Sequence, residues 1–253
     1  MLQSLSSPKK PMPGFHFGSR LFLVVLAANL ASATVHAQDP VATLPKNYTV
    51  ALDTPSIEVM RVHYGPHEKI PVHDHTSFAT VFVYLNDSGP LRIDHAGENA
   101  ASVTRPPTTK GAFRVSPAQT ERHSIENLGD TSSDFLRVEL KQSALAMKEP
   151  FRGKAPQSLG ENQDSLEFTD IDLQIERIIC TGHTACPIKV PATPSLLVAL
   201  TPLSLATGDP EKKEKLEAGA IFWLNPAQGA TIVPDPASPA HLLRILLPAA
   251  AGQ

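Results

Sequence analysis

The sequence predicts an all-β protein built from many short strands, in either a sandwich or a barrel. After about residue 48, short apolar or alternating runs follow one another, for example at 79–85, 111–116 and 135–140. Clusters of Gly, Pro, Asn and Asp separate these runs, and the chain contains 24 prolines. Frequent turn signals between such runs indicate strands. Only the segment 142–148 has a composition that would allow one or two helical turns.

The first 37 residues have the pattern of a secretory signal peptide. Three basic residues precede an apolar run at 21–28, and small residues follow up to Ala37. Cleavage after Ala37 fits this pattern, and so does cleavage after Ala33. The apolar run is shorter than the roughly 20 residues that a membrane span needs, so an uncleaved anchor is the weaker alternative. We therefore expect a periplasmic or secreted protein without stable membrane insertion.

The charge of the remaining chain argues against two classes of partner. The full sequence has 22 Lys and Arg against 25 Asp and Glu, and three of the basic residues lie within 1–37. Residues 38–253 thus carry 19 basic and 25 acidic side chains, a formal charge of −6. A net acidic surface disfavours nucleic acid and anionic membranes as the main partner. We expect a small-molecule ligand or substrate instead.

The two cysteines, Cys180 and Cys186, flank a turn-like segment that contains His183. In the oxidising compartment that the leader implies, this pair is a candidate disulfide. Two unpaired thiols are the alternative. A zinc site formed by the cysteines and His183 is the weakest of the three interpretations, because no fourth ligand is evident.

Three histidines are the candidate metal ligands. His73 and His75 are two residues apart in a strand-like run, so their side chains point to the same face. His123, from a later strand-like segment, would complete a corner of three imidazoles. Three protein ligands leave a coordination position for water or substrate, as in catalytic metal sites. The alternative is a chance spacing in a stretch that also holds other histidines.

The strand predicted at 79–85 supplies candidates for a ligand pocket. Thr80, Phe82 and Tyr84 share one face of this strand, and the valines between them take the other. Arg114 lies in another strand-like run and could face either way. An interior of this kind would hold a small, largely apolar ligand near a metal. The same side chains are also typical of an ordinary barrel core.

The second half of the chain repeats the first. Gly111 matches Gly219, the run at 135–140 matches 242–247, and the run that begins at Ile57 matches the run that begins at Ile175. Ordered repetition indicates two copies of one strand-rich unit. We therefore predict two tandem barrels separated by a linker, with bounds of 48–145 for the first barrel, 146–165 for the linker and 166–253 for the second barrel.

The histidine pattern belongs to the first copy only. In the second copy, Ile232 takes the place of His123. The segment 189–193, which we assign as the counterpart of His73 and His75, contains no histidine. The second barrel is expected to pack on the first and to cover a sheet edge or the surface of a homodimer.

The first histidine motif resembles that of the cupin superfamily, whose fold is a double-stranded β-helix, or jelly-roll barrel. The family motif runs from Gly to His-x-His and then to Glu, and Gly65, His73 and His75 match it with a longer first spacing. The glutamate of the family falls on Ala79 or Thr80, neither of which is a charged ligand. The resemblance therefore implies a three-histidine site.

The second cupin motif is also present in order. Gly111, Pro117, His123 and Asn127 match it, while Gln119 replaces the inner glycine and one residue is inserted. The whole chain thus resembles a degenerate bicupin. This resemblance implies one divalent transition metal, either Fe, Mn, Zn, Cu or Ni, and three-histidine iron centres occur in some dioxygenases of the family.

Other side chains are weaker candidate ligands. His95 could act as a fourth ligand, although we expect it to face solvent. Glu121 is placed at a turn and is also expected to face water. His63 and His67 have the spacing of a helical ligand pair, but Pro66 between them argues against a helix.

Three functions follow from these patterns. The first is a metal-dependent, dioxygenase-like enzyme, in which the metal binds O2 or a small substrate and polarises it. No general base is evident and no catalytic side chain can be assigned, which favours oxygen chemistry over hydrolysis or isomerisation. The second is a non-catalytic periplasmic protein that binds a small molecule or a metal. The third is a structural barrel with incidental histidines.

Overall fold

The computed structural model describes residues 39–97, 100–182, 184–209, 211–233, 235 and 237–248, which contain one short helix and nineteen strands. The first half of the chain forms α1 (Pro40–Thr43), β1 (Tyr48–Asp53), β2 (Ile57–Tyr64), β3 (Lys69–His75), β4 (Ala79–Tyr84), β5 (Leu91–His95), β6 (Ala101–Arg105), β7 (Phe113–Ser116), β8 (Glu121–Asn127), β9 (Ser133–Leu140) and β10 (Phe151–Gly153). The second half forms β11 (Gln163–Asp170), β12 (Leu173–Cys180), β13 (Cys186–Ile188), β14 (Ser195–Ala199), β15 (Leu203–Thr207), β16 (Lys213–Leu216), β17 (Ile221–Leu224), β18 (Ala230–Val233) and β19 (Ala240–Leu246).

The strands form four antiparallel sheets, two in each half. The first half contains a six-stranded sheet of order β1-β2-β9-β4-β7-β10 and a four-stranded sheet of order β3-β8-β5-β6. The second half contains a five-stranded sheet of order β11-β12-β19-β14-β17 and a four-stranded sheet of order β13-β18-β15-β16. Each pair of sheets closes around its own interior, as in a jelly-roll barrel. The predicted all-β, two-barrel architecture is confirmed.

The two halves pair their strands in the same way. Arg137 of β9 lies opposite Met60 of β2, and Arg244 of β19 lies opposite Glu176 of β12. The backbone N–H of Gly111 donates to the carbonyl of Tyr84, while the N–H of Gly219 donates to the carbonyl of Ala199 at the corresponding turn. The second half is therefore a structural copy of the first.

One predicted match between the halves is displaced by two residues. From the pairing of β2 with β9 and of β12 with β19, Ile57 corresponds to Leu173 and not to Ile175. A shift of two residues keeps every side chain on its original face of the sheet. The apolar pattern is almost the same in both registers, which explains the error.

The segment predicted as a linker, 146–165, is partly sheet. It contains β10, which pairs with β7 at the edge of the six-stranded sheet, and the first residues of β11. Phe151 of β10 stacks on Phe113, with ring centroids 5.8 Å apart, and this contact gives the short strand an apolar partner. The segment 142–148 forms no helix. Asp170 and Asp172 instead accept hydrogen bonds from its backbone.

The largest apolar core lies between the six-stranded sheet and the five-stranded sheet. Strand β4 shows how alternation produces it, because Val81 and Val83 point into this core while Phe82 and Tyr84 point into the first barrel. Leu196 and Val198 of β14 belong to the same core from the second half. Full burial of a side chain of this size contributes about 1.5–3 kcal/mol to the free energy of unfolding. The two barrels therefore share one continuous apolar interface.

Two glycines bring the turns of each barrel close to the other barrel. Gly111 has a φ of +82°, and a β-carbon there would lie 2.8 Å from Cε1 of His241. Gly219 has a φ of +84°, and a β-carbon there would lie 3.3 Å from Cδ1 of Leu85. Both positions lie in the left-handed region that side chains rarely adopt. At Gly111, glycine is thus required both by the backbone of the turn and by the close approach to His241.

Substitution of Gly111 by alanine should destabilise the protein more than the backbone angle alone explains. Gly208 has a φ of +73° and no neighbour within 4 Å, so Gly208→Ala is the matched control. We expect about 1–2 kcal/mol of destabilisation in the control from the left-handed backbone. Gly111→Ala should lose a further amount of about 1–3 kcal/mol from overpacking. Equal losses in urea unfolding of the two variants would contradict the close approach.

His241 is buried at this interface in its neutral form. Arg177 donates from Nη1 to Nε2 of His241 over 2.6 Å, and Glu167 pairs with the same guanidinium at 2.6 Å. Burial and then the charge of Arg177 lower the pKa of His241 to about 3. The folded protein therefore resists protonation of this ring at a pH where the unfolded chain accepts it.

Stability should fall as the pH decreases from 6.5 towards 4. In this window the unfolded His241 binds a proton and the folded one does not, so the free energy of unfolding decreases by up to about 1.4 kcal/mol per pH unit. The variant His241→Gln should show a shallower dependence in urea titrations between pH 7 and pH 4. The exposed His67 provides the control variant His67→Asn. The prediction fails if His241→Gln and His67→Asn have the same slope.

The predicted leader, 1–37, lies outside the described residues. Within the described part of the chain, no helix has the length and hydropathy that a membrane crossing requires.

Candidate metal centre

A one-residue bulge in β3 orients the candidate ligands. Ile70 lies opposite Ile125 of β8, and His73 lies opposite His123, so three steps along β3 match two steps along β8. Ile70 faces the barrel interior, and without the extra residue Val72 would face it next. The bulge reverses the alternation, so that His73 and His75 are buried while Val72 is 40% exposed.

The sequence at this point permits the bulge. Pro71 has no N–H to donate, and proline in sheets is confined mainly to edge strands and bulges. Strand β3 is the edge strand of its sheet, and Pro71 lies at the bulge. The Pro71 carbonyl lies 2.9 Å from Nδ1 of His73, where it can accept the ring N–H. The bulge thus fixes both the position and the tautomer of the first histidine.

The strand pairing collects five polar side chains on one inner face. His73 lies opposite His123, and His75 lies opposite Glu121 on the same two strands. On the other side of β8, His95 of β5 also lies opposite His123. All these residues except His95 are buried. Three adjacent strands therefore build the site.

The three predicted histidines form one compact cluster. One ring nitrogen from each of His73, His75 and His123 lies within 4.8 Å of the others. The ring centroids of His73 lie 4.8 Å from those of both His75 and His123, and the last two are 5.2 Å apart. The Nε2 atoms of His73 and His75 are 3.1 Å apart. The three rings therefore lie close enough together to surround one ion.

The cluster consists of neutral imidazoles. Burial lowers the pKa of His73, and it lowers the pKa of His75 further with the help of the nearby charge of Arg137. Burial also lowers the pKa of His123 to about 3, although Glu121 opposes the shift. Neutral imidazole is the form that binds a metal, so protons do not compete for these nitrogens at neutral pH.

The residues present fit a transition metal. Two imidazole nitrogens on one metal at about 2.0–2.1 Å lie about 3.0–3.4 Å apart, and the observed 3.1 Å between His73 and His75 falls in this range. Nδ1 of His123 is buried without a hydrogen-bond partner. Buried polar atoms normally have a partner, so this nitrogen is consistent with metal ligation. His73, His75 and His123 would hold the metal.

Tyr48 is a component of the site that the sequence analysis missed. Its hydroxyl lies 2.9 Å from Nε2 of His73 and 2.5 Å from the hydroxyl of Tyr64. Because Nδ1 of His73 carries the proton, Nε2 accepts from the Tyr48 hydroxyl, and a metal bound at Nε2 would take the place of this hydrogen bond. Burial raises the pKa of Tyr48 well above its ordinary value, and burial raises that of Tyr64 to about 12. Both phenols therefore stay protonated beside the histidines.

The expectation that Glu121 faces water is wrong. Glu121 is 8% exposed and pairs with Arg137 at 2.9 Å, while Gln119 donates to its other oxygen at 2.9 Å. Burial raises the pKa of this carboxyl, but the charge of Arg137, the interaction with His123 and the hydrogen bond from Gln119 outweigh burial and hold it at about 2. The site thus contains an ionised carboxylate, although not at the position of the cupin glutamate.

His95 lies nearer the site than expected. It is only half-buried, and its ring centroid is 5.7 Å from that of His123. It lines the cavity beside the cluster but does not belong to the group of three close nitrogens. His63 and His67 lie on the surface, where they pair with Asp134 and Asp130.

A cavity of about 170 Å³ adjoins the histidines inside the first barrel. Of the predicted lining residues, Phe82 and Arg114 line it, whereas Tyr84 and Thr80 are buried beside it without lining it. His75 and His123 form part of its wall, together with Leu91, Ile93, Ile125 and Phe135. A cavity of similar size is known to hold one benzene molecule. The space therefore suits a small organic ligand.

The second barrel has replaced the site by an apolar core. Its strand pairing places Cys186 at the position of His73, because Cys186 lies opposite Ile232 as His73 lies opposite His123. By the same register Ile188 corresponds to His75 and Ala230 to Glu121. The counterpart of the histidine pair is therefore 186–188 and not 189–193, because β13 ends before that segment. Cys180 and Cys186 are joined by a disulfide, and His183 lies outside the described residues.

Comparison with solved structures identifies the fold. AerE from Microcystis aeruginosa aligns with a TM-score of 0.55 at 12% identity, covering 79% of this chain and 97% of that chain. A structure of Bacillus subtilis oxalate decarboxylase that was used to study its Mn(II) centres aligns with a TM-score of 0.52 at 13% identity. The alignment covers 84% of this chain and 72% of that chain. YhaK from Escherichia coli aligns with a TM-score of 0.52 at 14% identity, covering 81% and 88%.

These similarities, with the histidine cluster, define the chain as a two-barrel cupin fold with one three-histidine site. The resemblance seen in the sequence motifs is thereby confirmed at the level of fold. No family model matches the sequence, and no curated protein matches it significantly.

Loss of one cluster histidine should abolish metal binding without unfolding the protein. We expect about one equivalent of a transition metal per chain after purification from an exporting host without added metal or a histidine tag. His73→Ala should lose it, whereas His63→Ala, on the surface of the same barrel, should retain it. Elemental analysis measures the content. Bound metal stabilises the fold by mass action. Chelation should therefore lower the melting temperature of His63→Ala and leave that of His73→Ala unchanged.

Metal that persists in His73→Ala would contradict the assignment. So would a complete absence of metal that continues after reconstitution with each of Fe, Mn, Zn, Cu and Ni.

Proposed function

We propose that this protein is an exported, metal-dependent oxygenase that acts on a small molecule in the first barrel. The observation that carries the proposal is the cavity of about 170 Å³ whose wall includes His75 and His123. A ligand in this cavity would lie directly against the cluster. Export is supported by the leader pattern of 1–37 and by the disulfide, which is typical of an oxidising compartment.

The metal would supply Lewis-acid or redox chemistry at the open side of the histidine cluster. A set of three neutral imidazoles suits several divalent metals, and availability decides among them. Manganese centres are a property of Bacillus subtilis oxalate decarboxylase. For this chain, iron or manganese is the proposed metal, since both support oxygen chemistry.

The protein side chains would position the ligand, exclude water from the cavity and supply a hydrogen-bond donor. Leu91, Ile125 and Phe135 keep water from the cavity wall. The hydroxyl of Tyr48, hydrogen-bonded to that of Tyr64 over 2.5 Å, would donate a hydrogen bond beside the cluster. Burial raises the pKa of both phenols, so both would stay protonated.

Glu121 would act as a fixed charge and not as a general base. A base works best with a pKa near the working pH, whereas the pKa of Glu121 is about 2. Its ion pair with Arg137 also occupies one oxygen, and Gln119 occupies the other. This argues for oxygen chemistry over hydrolysis or isomerisation by proton abstraction.

A non-catalytic binding protein is the alternative, and one observation favours it. The second barrel has the same fold with apolar residues at the described positions that correspond to the ligands, so the architecture does not depend on metal chemistry. A protein that captures a small molecule would need only the cavity of the first barrel.

Oxygen uptake should separate the two functions. Compounds are first selected because they raise the melting temperature of the metal-loaded protein. Each is then incubated with the protein and O2 in an oxygen electrode, with product analysis. The oxygenase predicts uptake that depends on the compound and that falls at least about 100-fold in His123→Ala. A compound that binds tightly and is neither consumed nor accompanied by O2 uptake would support the binding protein instead.

A further inference from the structure

One buried arginine of the first barrel has no acidic partner in the part of the chain that the structure describes. Among the described residues, four arginines are at most 5% exposed. Three of them pair with a carboxylate: Arg137 with Glu121 at 2.9 Å, Arg177 with Glu167 at 2.6 Å, and Arg244 with Glu176 at 3.1 Å. Arg105, the fourth, is 5% exposed and forms no ion pair with any described residue.

The guanidinium of Arg105 also has unused donors. Its Nε and Nη2 atoms are buried without a hydrogen-bond partner. Its Cζ lies 5.3 Å from the ring centroid of Tyr84 and 5.7 Å from that of Phe135, so two aromatic rings lie against the guanidinium. The Tyr84 hydroxyl forms no hydrogen bond with it. Arginine stays charged in proteins, and a buried charge without a partner is strongly unfavourable. Such an arrangement is typical of an anion-binding site.

The strand register separates Arg105 from the histidines. Arg105 lies opposite Leu91 at one end of β5, and His95, at the other end, lies opposite His123. Four residues of strand correspond to about 13 Å. Arg105 and His123 both line the same cavity. A ligand held by Arg105 would therefore extend along the cavity towards the cluster.

The cavity carries an excess of positive charge. Arg105, Arg114, Arg137 and Arg152 line it, whereas Glu121 is the one acidic side chain among its lining residues. Glu121 is already paired with Arg137. Nε of Arg114 is buried without a partner as well. The free charges thus favour an anionic ligand even before a metal adds its own charge.

We infer that Arg105 binds the carboxylate of a small organic acid whose apolar body lies between this guanidinium and the histidine cluster. The planar fork of arginine matches a carboxylate with two parallel hydrogen bonds. The walls formed by Ile93, Phe82 and Phe135 suit an apolar body, and the size of the cavity restricts it to roughly the volume of benzene. The inference names the substrate class of the proposed oxygenase, but the anion site itself needs no metal.

The test is calorimetric titration of the metal-free, exported chain with acids from acetate to benzoate and with the matching amides. We expect at least one acid to bind about tenfold or more tightly than its amide, because only the acid pairs with the guanidinium. Arg105→Met should remove this preference, and Arg105→Lys should retain part of it. Arg92→Met is the control, because Arg92 pairs with Asp94 and Glu126 on the outside of the barrel.

A stability measurement separates binding from a structural role. If Arg105 serves as an anion site, the ligand-free Arg105→Met protein should unfold at the same urea concentration as the parent chain or at a higher one. Equal binding of acids and amides, an acid affinity within twofold of the parent in Arg105→Met, or binding of inorganic phosphate in preference to every acid would overturn the inference. If acids bind as expected but the protein retains no metal, only the proposed oxygenase fails.

Discussion

The site depends on a single extra residue in an edge strand. Without the bulge at Pro71 and Val72, the alternation that begins at Ile70 would turn both histidines of β3 towards solvent. Edge strands tolerate such bulges because only one side of their backbone is paired. The barrel thus places its ligands on its most adaptable strand, while β8, paired on both sides, provides the fixed His123.

Buried charge organises the interior around this strand pair. Arg137 holds Glu121 on one side and Glu139 on the other, each at 2.9 Å, and all three are nearly inaccessible to water. Paired charges at this depth are costly to disturb, since removal of one partner leaves the other uncompensated. The network therefore fixes the orientation of β8 relative to β9, and with it the wall of the cavity. The second barrel retains an equivalent arginine, Arg244, paired with Glu176 at 3.1 Å.

The sequence predicted the architecture and the three histidines better than it predicted their surroundings. Alternation places His73 and His75 on one face, and the repeated runs indicate two barrels. The same two-residue rule would have placed Glu121 on the face of His123, but the turn-like residues before Glu121 concealed the start of β8. Arg137 and Arg105 could not be predicted as buried, because arginine is normally exposed and its burial here depends on side chains from distant strands. Tyr48 precedes the histidine motif by a whole hairpin, and no local pattern connects it to the site.

The apolar interface between the barrels has a further consequence for the chain as a whole. Two separate barrels that met through this face would dissociate on dilution, whereas two barrels on one chain meet at a fixed effective concentration in the millimolar range. Their association is then independent of how much protein the cell makes. The second barrel behaves as a permanently attached subunit, whose described interior is an apolar core in place of the histidines. Tethering thus permits one barrel to carry the cluster while the other serves the interface.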